Sequence, residues 1–210
     1  MMRVPARKKI LAGTAAGVML SSLVLGSAPA WADDPVGDPA GVQVNVEVTP
    51  TGNLTMTVDT SSPVQLVESG SEAPNRTYTG TLPLVTVTDT RNDVPEGVAW
   101  SVVGQSSDFV NQANSAIKIS NKYLGWAPKV QDVPAGDDTV APGPEVESTE
   151  LGGDGLTSGV DLLVSTWDSG DARECGGKWT ADAKLNLVTP AADVKSGNYT
   201  ATLTMSLFEY

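Results

Sequence analysis

Residues 82–109 constrain the fold most, because two apolar runs flank a segment rich in turn-forming residues. The first run, 82–87, contains leucines and valines that repeat at every second position. The second run, 98–103, carries Trp100 between alanine, serine and valine residues. Runs of this kind around Asn, Asp, Pro and Gly are typical of antiparallel strands joined by a loop. We therefore expect an antiparallel pair, with the large Trp100 ring in a core between two sheets.

Short strands separated by turns are predicted along the rest of the chain. Residues 42–48 carry valine at every even position, and residues 54–58 alternate again after the turn sequence Thr-Pro-Thr-Gly-Asn. These two segments are expected to form a hairpin with one buried valine face. A short or edge strand is expected at 64–67, and further strands at 116–120, 160–166, 184–188 and 199–208. Eight or nine short strands predict an all-β fold, an antiparallel β-sandwich of Greek-key or immunoglobulin-like type.

Three segments are interpreted as loops. Residues 123–130 are aromatic and rich in turn formers, and residues 134–155 are acidic and rich in Pro and Gly. Residues 168–178 form a Gly-rich segment that holds Cys175, the only cysteine. A single cysteine forms no internal disulfide, and its polar neighbours predict an exposed thiol. Cys175 is therefore a candidate for an intermolecular bridge.

The first 32 residues have the pattern of a secretory signal peptide. Four basic residues precede an apolar segment, and Ala-Pro-Ala-Trp-Ala at 28–32 offers small-residue cleavage sites. Cleavage is expected after Ala32, with Ala30 as the second choice and an uncleaved membrane anchor as the alternative. Residues 33–41 are then a disordered leader, and 42–210 are a single domain on the cell surface or outside the cell. No sorting signal for covalent attachment to a wall occurs in the sequence.

The charge of the mature chain excludes several partners. The signal peptide of residues 1–32 holds four of the 13 basic residues and none of the 25 acidic ones, so nine basic residues remain and the net charge is −16. Such acidity argues against nucleic acid, whose affinity comes from Lys and Arg on phosphates. It also argues against electrostatic binding to anionic lipid, so no membrane contact is expected after cleavage.

The sequence gives little support to an enzyme, and no catalytic residue is assigned. It contains no histidine, which excludes His-based triads and the usual zinc sites. No nucleophile elbow, phosphate loop or dinucleotide fingerprint is present. Acidic loops could supply oxygen ligands to calcium, but a solvated acidic face is favoured. We therefore predict no cofactor and no metal.

The strand, turn and tryptophan of the opening stretch resemble the first signature of the WxL-type surface domain of Gram-positive bacteria. The signature reads Val-Thr-Asp-Thr-Arg at 87–91 and then Trp100-Ser101-Val102, with valine in place of the leucine of the family. The resemblance continues through 107–109 and 122–129 to Met205-Ser206-Leu207, where methionine replaces the second tryptophan. It covers 82–210, so that 42–81 are an N-terminal hairpin and connection. Asp89, Arg91 and Trp100 are expected to be its core signature.

The WxL resemblance implies a secreted, non-enzymatic protein that associates non-covalently with cell-wall peptidoglycan or with other surface proteins. Trp126 and Trp179 are expected at loop edges, where each ring could stack on a sugar or equally cover the core. The neighbouring Lys122, Lys129 and Lys178 hold part of the few positive charges. One alternative is a self-assembling building block of an extracellular assembly, joined by edge strands or by Cys175. Another is a carbohydrate-binding module.

Overall fold

A computed structural model describes residue 46 and residues 51–132, 138–165 and 168–210. The elements below all belong to one compact unit, Glu47–Tyr210. In chain order the strands are β1 (Leu54–Val58), β2 (Val67–Glu68), β3 (Asn75–Thr81), β4 (Val85–Asp89), β5 (Trp100–Ser106), β6 (Phe109–Asn111), β7 (Lys118–Ile119), β8 (Leu124–Val130), β9 (Val140–Pro142), β10 (Val160–Ser165), β11 (Lys178–Pro190), β12 (Tyr199–Thr200) and β13 (Leu203–Glu209). One short helix, α1 (Ser169–Glu174), and three 3-10 turns complete the described elements.

Strand β11 is the central strand of the first sheet, and it pairs with strands on both of its sides. Along one side it pairs with β4 over its first residues and with β3 over its last, so that β3 and β4 form one interrupted row. Strand β8 pairs with the opposite side of β11, and β1 and β2 lie outside β4 and β3. The burial of β11 alternates along 178–187, as expected for a strand with one face on a core and one in water.

The second sheet has the order β13-β5-β10-β9. The small sheet β12-β6-β7 continues it, because the antiparallel ladder between β13 and β5 runs on into the pairing of β12 with β6. The backbone N–H of Ser107 donates to the carbonyl of Thr202 at 2.9 Å and carries the ladder across the break. All these pairings are antiparallel, so the predicted all-β antiparallel sandwich is confirmed.

The core lies between the two sheets and is centred on tryptophan rings. Trp100 on β5 and Trp179 on β11 are both buried, with ring centroids 5.5 Å apart and planes tilted by 47°. Because the two rings come from opposite sheets, their contact joins the layers. Tilted aromatic pairs at this distance stabilise a core beyond the area that they bury.

The predicted pairing between the two apolar runs of 82–109 is wrong. Strand β4 pairs with β1 and β11 in the first sheet, whereas β5 pairs with β10 and β13 in the second. The residues between them cross from one sheet to the other. Period-two alternation shows which face of a strand is buried, but it does not identify the neighbouring strand.

Several other predicted boundaries differ from the structure. The segment 123–130 is mostly strand β8, and the segment 168–178 contains α1, whose N-cap Asp168 accepts a hydrogen bond from the backbone of Asp171 at 2.9 Å. The acidic segment 134–155 includes β9, and β11 is longer than predicted. The final strand is divided into β12 and β13. The predicted hairpin strand 42–48 lies outside the described residues except for Val46.

Candidate functional site

The two tryptophans proposed for sugar stacking are not at exposed loop edges. Trp126 and Trp179 are each 1% exposed, because they lie on β8 and β11 and point between the sheets. The Trp126 ring covers Gly104 of the opposite sheet, where an added Cβ would lie 2.5 Å from a ring carbon. The predicted placement at loop edges is therefore wrong, and of the two alternatives for these rings their burial favours the cover over the core.

The three candidate lysines are all exposed but do not form one cluster. Lys129 on β8 is opposite Asp182, and Lys178 begins β11 opposite Thr88, so both lie on the outer face of the first sheet. Lys122 is in the 3-10 turn before β8, where its ammonium lies 4.8 Å from the centre of the Tyr123 ring. Burial and a hydrogen bond to Asp193 raise the pKa of Tyr123 above its usual value.

The outer face of the first sheet also carries a shallow polar depression. It has a volume of about 620 Å³, and its lining includes Lys129, Lys184, Gln131 and Asp182. The side-chain amide of Gln131 donates to Asp182 at 2.9 Å. No aromatic residue lines the depression, so it offers hydrogen bonds to a polar ligand but no stacking platform.

The signature residues Asp89 and Arg91 form an ion pair at the end of β4. The Arg91 guanidinium donates to both Asp89 carboxylate oxygens at 2.9 Å and 2.6 Å, to the Ser169 hydroxyl at 3.1 Å and to Glu209 on β13. The Asp89 side chain is fully buried and that of Arg91 is 16% exposed. These hydrogen bonds raise the pKa of Arg91. The ion pair therefore connects β4 of the first sheet with β13 of the second sheet and with α1, and all its contacts stabilise the fold.

Cys175 is half-buried and free, directly after α1. Its backbone N–H donates to Ala172 at 3.1 Å, and two glycines follow it. Its role as an intermolecular bridge stays a prediction. Within the described residues, no three acidic, cysteine or histidine side chains lie close enough together to hold a metal ion. In the same residues, no helix has the length and hydropathy of a membrane span.

An apolar groove opens along the side of the sandwich, and the sequence reasoning missed it. It has a volume of about 1140 Å³. One wall is the inner face of the first sheet. The other wall is formed by β13 and by the small sheet β12-β6-β7. Its apolar lining includes Val58, Val64, Leu66, Tyr78, Leu82, Phe109, Ile119, Leu124, Leu185, Leu187, Val194, Tyr199, Leu203 and Met205. Polar residues complete the lining, among them the charged Asp59, Arg76 and Lys195.

Strand β13 borders this groove and is the edge of its sheet. It pairs with β5 on one side, and no strand pairs with its other side in the part of the chain that the structure describes. Edge strands are usually protected by Lys, Pro, bulges or short length. From Leu203 to Phe208 this strand has no charge and no proline, and its Glu209 is bound by Arg91. The edge therefore offers free backbone groups next to an apolar groove.

An unpaired edge beside an apolar groove can bind an extended peptide as an added strand. Backbone hydrogen bonds along the edge supply affinity, and every second side chain of the peptide enters the groove and supplies specificity. Leu203 and Met205 are partly buried while Thr204 between them is exposed, so the edge already sets this alternation. Burial raises the pKa of Tyr78 on the facing wall, as expected for a phenol on an apolar surface.

The sequence contained part of the signal for this groove. The alternation in 199–208 predicts a strand, and the structure places β12 and β13 there. The facing wall combines residues 58–66 with inward side chains of the first sheet such as Tyr78 and Leu185, and none of them is adjacent to β13 in sequence. No local pattern indicates that these segments border one opening.

Comparison with known proteins gives no family for this chain. No family model matches the sequence, and no curated protein matches it. One solved structure that matches is a chain from the chaperone–tip adhesin complex of CFA/I fimbriae, with 8% sequence identity and a TM-score of 0.41. The match covers 74% of this chain and 42% of that chain, so this chain spans less than half of its length. A score this low carries no argument about function, and the WxL resemblance stays a prediction.

Proposed function

We propose that this chain is a non-enzymatic extracellular surface protein that associates non-covalently with other surface proteins by accepting an extended strand along β13. The observation that carries the proposal is the unpaired β13 edge directly beside the apolar groove. The predicted signal peptide of residues 1–32 and the WxL resemblance support an extracellular location. Strand addition is a recurring mode of peptide recognition by sheet edges.

A second candidate is binding to peptidoglycan through the outer face of the first sheet. The polar depression around Lys129 and Lys184 favours it, because the chain has few positive charges and two of them line this depression. The burial of Trp126 and Trp179 weakens this candidate, since both rings proposed for sugar contact are withdrawn from solvent.

Sedimentation with cell-wall fragments of the source cells distinguishes the two candidates. One preparation keeps its surface proteins, and the other is boiled in detergent and treated with protease. We expect the wild-type chain to sediment with the first preparation only. Leu203→Lys should stay in the supernatant, because its longer stem and its ammonium occupy the opening through which an added strand would insert its side chains. Lys129→Gln with Lys184→Gln is the matched outer-face variant and should still sediment.

Binding to the protein-free walls would contradict the proposal. If that binding were also lost in the double lysine variant, the outer face would be the site and peptidoglycan the partner. Measurements at two salt concentrations complete the test. Added salt screens the repulsion between an acidic chain and anionic wall polymers, so a strand contact should persist or strengthen.

A further inference from the structure

We infer that the strand accepted by the groove is residues 42–48 of a second copy of this chain, which deepens the proposed function and rests on it. The segment reads Val-Gln-Val-Asn-Val-Glu-Val. In an extended conformation its four valines lie on one face and its three polar residues on the other. Glu47 is its only charge, and it belongs to the polar face.

The length and shape of the segment match the groove. Seven residues in a strand span about 23 Å at roughly 3.3 Å per residue. The facing edge, from Tyr199 through Leu203 to Leu207, has inward side chains at every second position over a longer stretch. Valine is branched at Cβ and packs well on a pleated surface. Four valines at period two would therefore enter the groove side by side along the edge.

The one described residue of the segment, Val46, is available to another molecule. Val46 stands at the third of the four valine positions, and its side chain is 83% exposed. An isolated apolar side chain on a surface needs no explanation, but the sequence repeats valine at four alternate positions here, a pattern typical of a strand that buries one face. The groove of a second copy offers an apolar surface on which this face can be buried.

The other edges of the fold are less suited to the segment. Strand β8 carries Pro128 and Lys129 on its edge, and β9 has three residues that end at Pro142. The β1 and β2 edge is interrupted between Val58 and Val67. Only β13, among the edges in the described residues, combines length, lack of protective residues and an adjoining apolar groove.

Transfer of a segment from one copy to the groove of another is a heterologous contact. If two copies exchange segments reciprocally the product is a closed dimer, and if each copy gives to the next the product is an open chain. In both cases the same two surfaces meet, so the same substitutions test the contact.

The test measures the molar mass of the mature chain by light scattering across a concentration series. We expect the wild-type mass to double or to rise further with concentration. Val44→Asp with Val46→Asp should give a monomer because it charges the valine face. Gln43→Asp with Asn45→Asp adds the same charge to the polar face and should leave the association unchanged. Leu203→Lys should also give a monomer, because it blocks the groove that would accept the segment.

Mixing the two monomeric variants gives the decisive measurement. The segment of the Leu203→Lys chain is intact, and so is the groove of the Val44→Asp, Val46→Asp chain. One segment and one groove remain in each mixed pair, so the mixture should form a one-to-one dimer that grows no further. Far-UV and near-UV circular dichroism must show that each variant has the wild-type fold before mixing.

Other outcomes identify what has failed. A wild-type chain that stays monomeric overturns this inference, and the proposed function still stands if Leu203→Lys abolishes sedimentation with protein-bearing walls. If the wild type is monomeric and the Val44→Asp, Val46→Asp variant unfolds more easily, the segment packs on the chain to which it belongs and not on a second copy. Association that Leu203→Lys leaves intact would show that β13 is not the acceptor. If that variant also still sediments with the walls, the proposed function fails as well.

Discussion

Strands β8 and β13 are both edges of the sandwich, but they are built in opposite ways. The edge of β8 is covered, because Trp126 exchanges backbone hydrogen bonds of 2.8 Å and 2.9 Å with Val146. Gly125 allows this approach, since an added Cβ would lie 2.4 Å from the Val146 carbonyl oxygen. The edge of β13 has no such cover in the described residues and borders a groove. Under the proposed function, the covered edge contributes to stability and the open edge to association.

The largest expected effect comes from the covered edge. Trp126→Ala should lower the free energy of unfolding by about 3–5 kcal/mol, because it removes a fully buried ring and leaves a cavity between the sheets. Urea unfolding followed by circular dichroism measures it. Phe208→Ala on β13 is the control, since that side chain is 53% exposed and should change stability by less than about 0.5 kcal/mol. Equal losses would remove the distinction between the edges.

The ion pair at the far end of β13 should give the next effect. Arg91→Ala leaves the buried Asp89 carboxylate without its partner and should cost about 3 kcal/mol. The same unfolding assay measures it, with Arg76→Ala as the matched arginine. Arg76 pairs with Glu68 on the surface, so its loss should lie within experimental error. A small effect of Arg91→Ala would mean that Asp89 gains water on relaxation.

A smaller loss is expected where the covered edge meets the opposite sheet. Gly104→Ala puts a methyl group against the Trp126 ring and should cost about 1–3 kcal/mol through overpacking. Combination with Trp126→Phe, which shortens the ring system, should recover part of this loss. Additive losses in that double-mutant cycle would show that the two residues are not in contact.

The smallest stability effect belongs to the open edge. Leu203→Lys should cost about 1 kcal/mol or less, because the side chain is only partly buried and a lysine stem can lie along the groove with its ammonium in water. Its effect on association should nevertheless be complete. A loss in stability as large as that of Trp126→Ala would identify β13 as a core strand and not as a binding edge.

Local alternation predicted the fold class and most strands, but neither strand partners nor the site. The run around Val85 and Val87 was assigned to a strand, yet its partner β11 begins about ninety residues later. Gly125 and Pro128 suggested a turn-rich loop, whereas in β8 they permit a close backbone approach and occupy an edge position. Trp126 was therefore placed at the surface. Its burial depends on Gly104, which no local pattern connects with it.

The pairing pattern also determines how the chain reaches this structure. Residues 75–89 pair with β11, and β5 pairs with β13, across separations of roughly one hundred residues. Each ladder must close a very long loop, and the loss of chain entropy precedes the gain from its contacts. The relative contact order is therefore high, and folding is expected in the millisecond-to-second range. Neither sheet can assemble before the last third of the chain is present. Strands β11 and β13 are the last long strands to be synthesised, so both sheets are completed only when almost the whole chain is present.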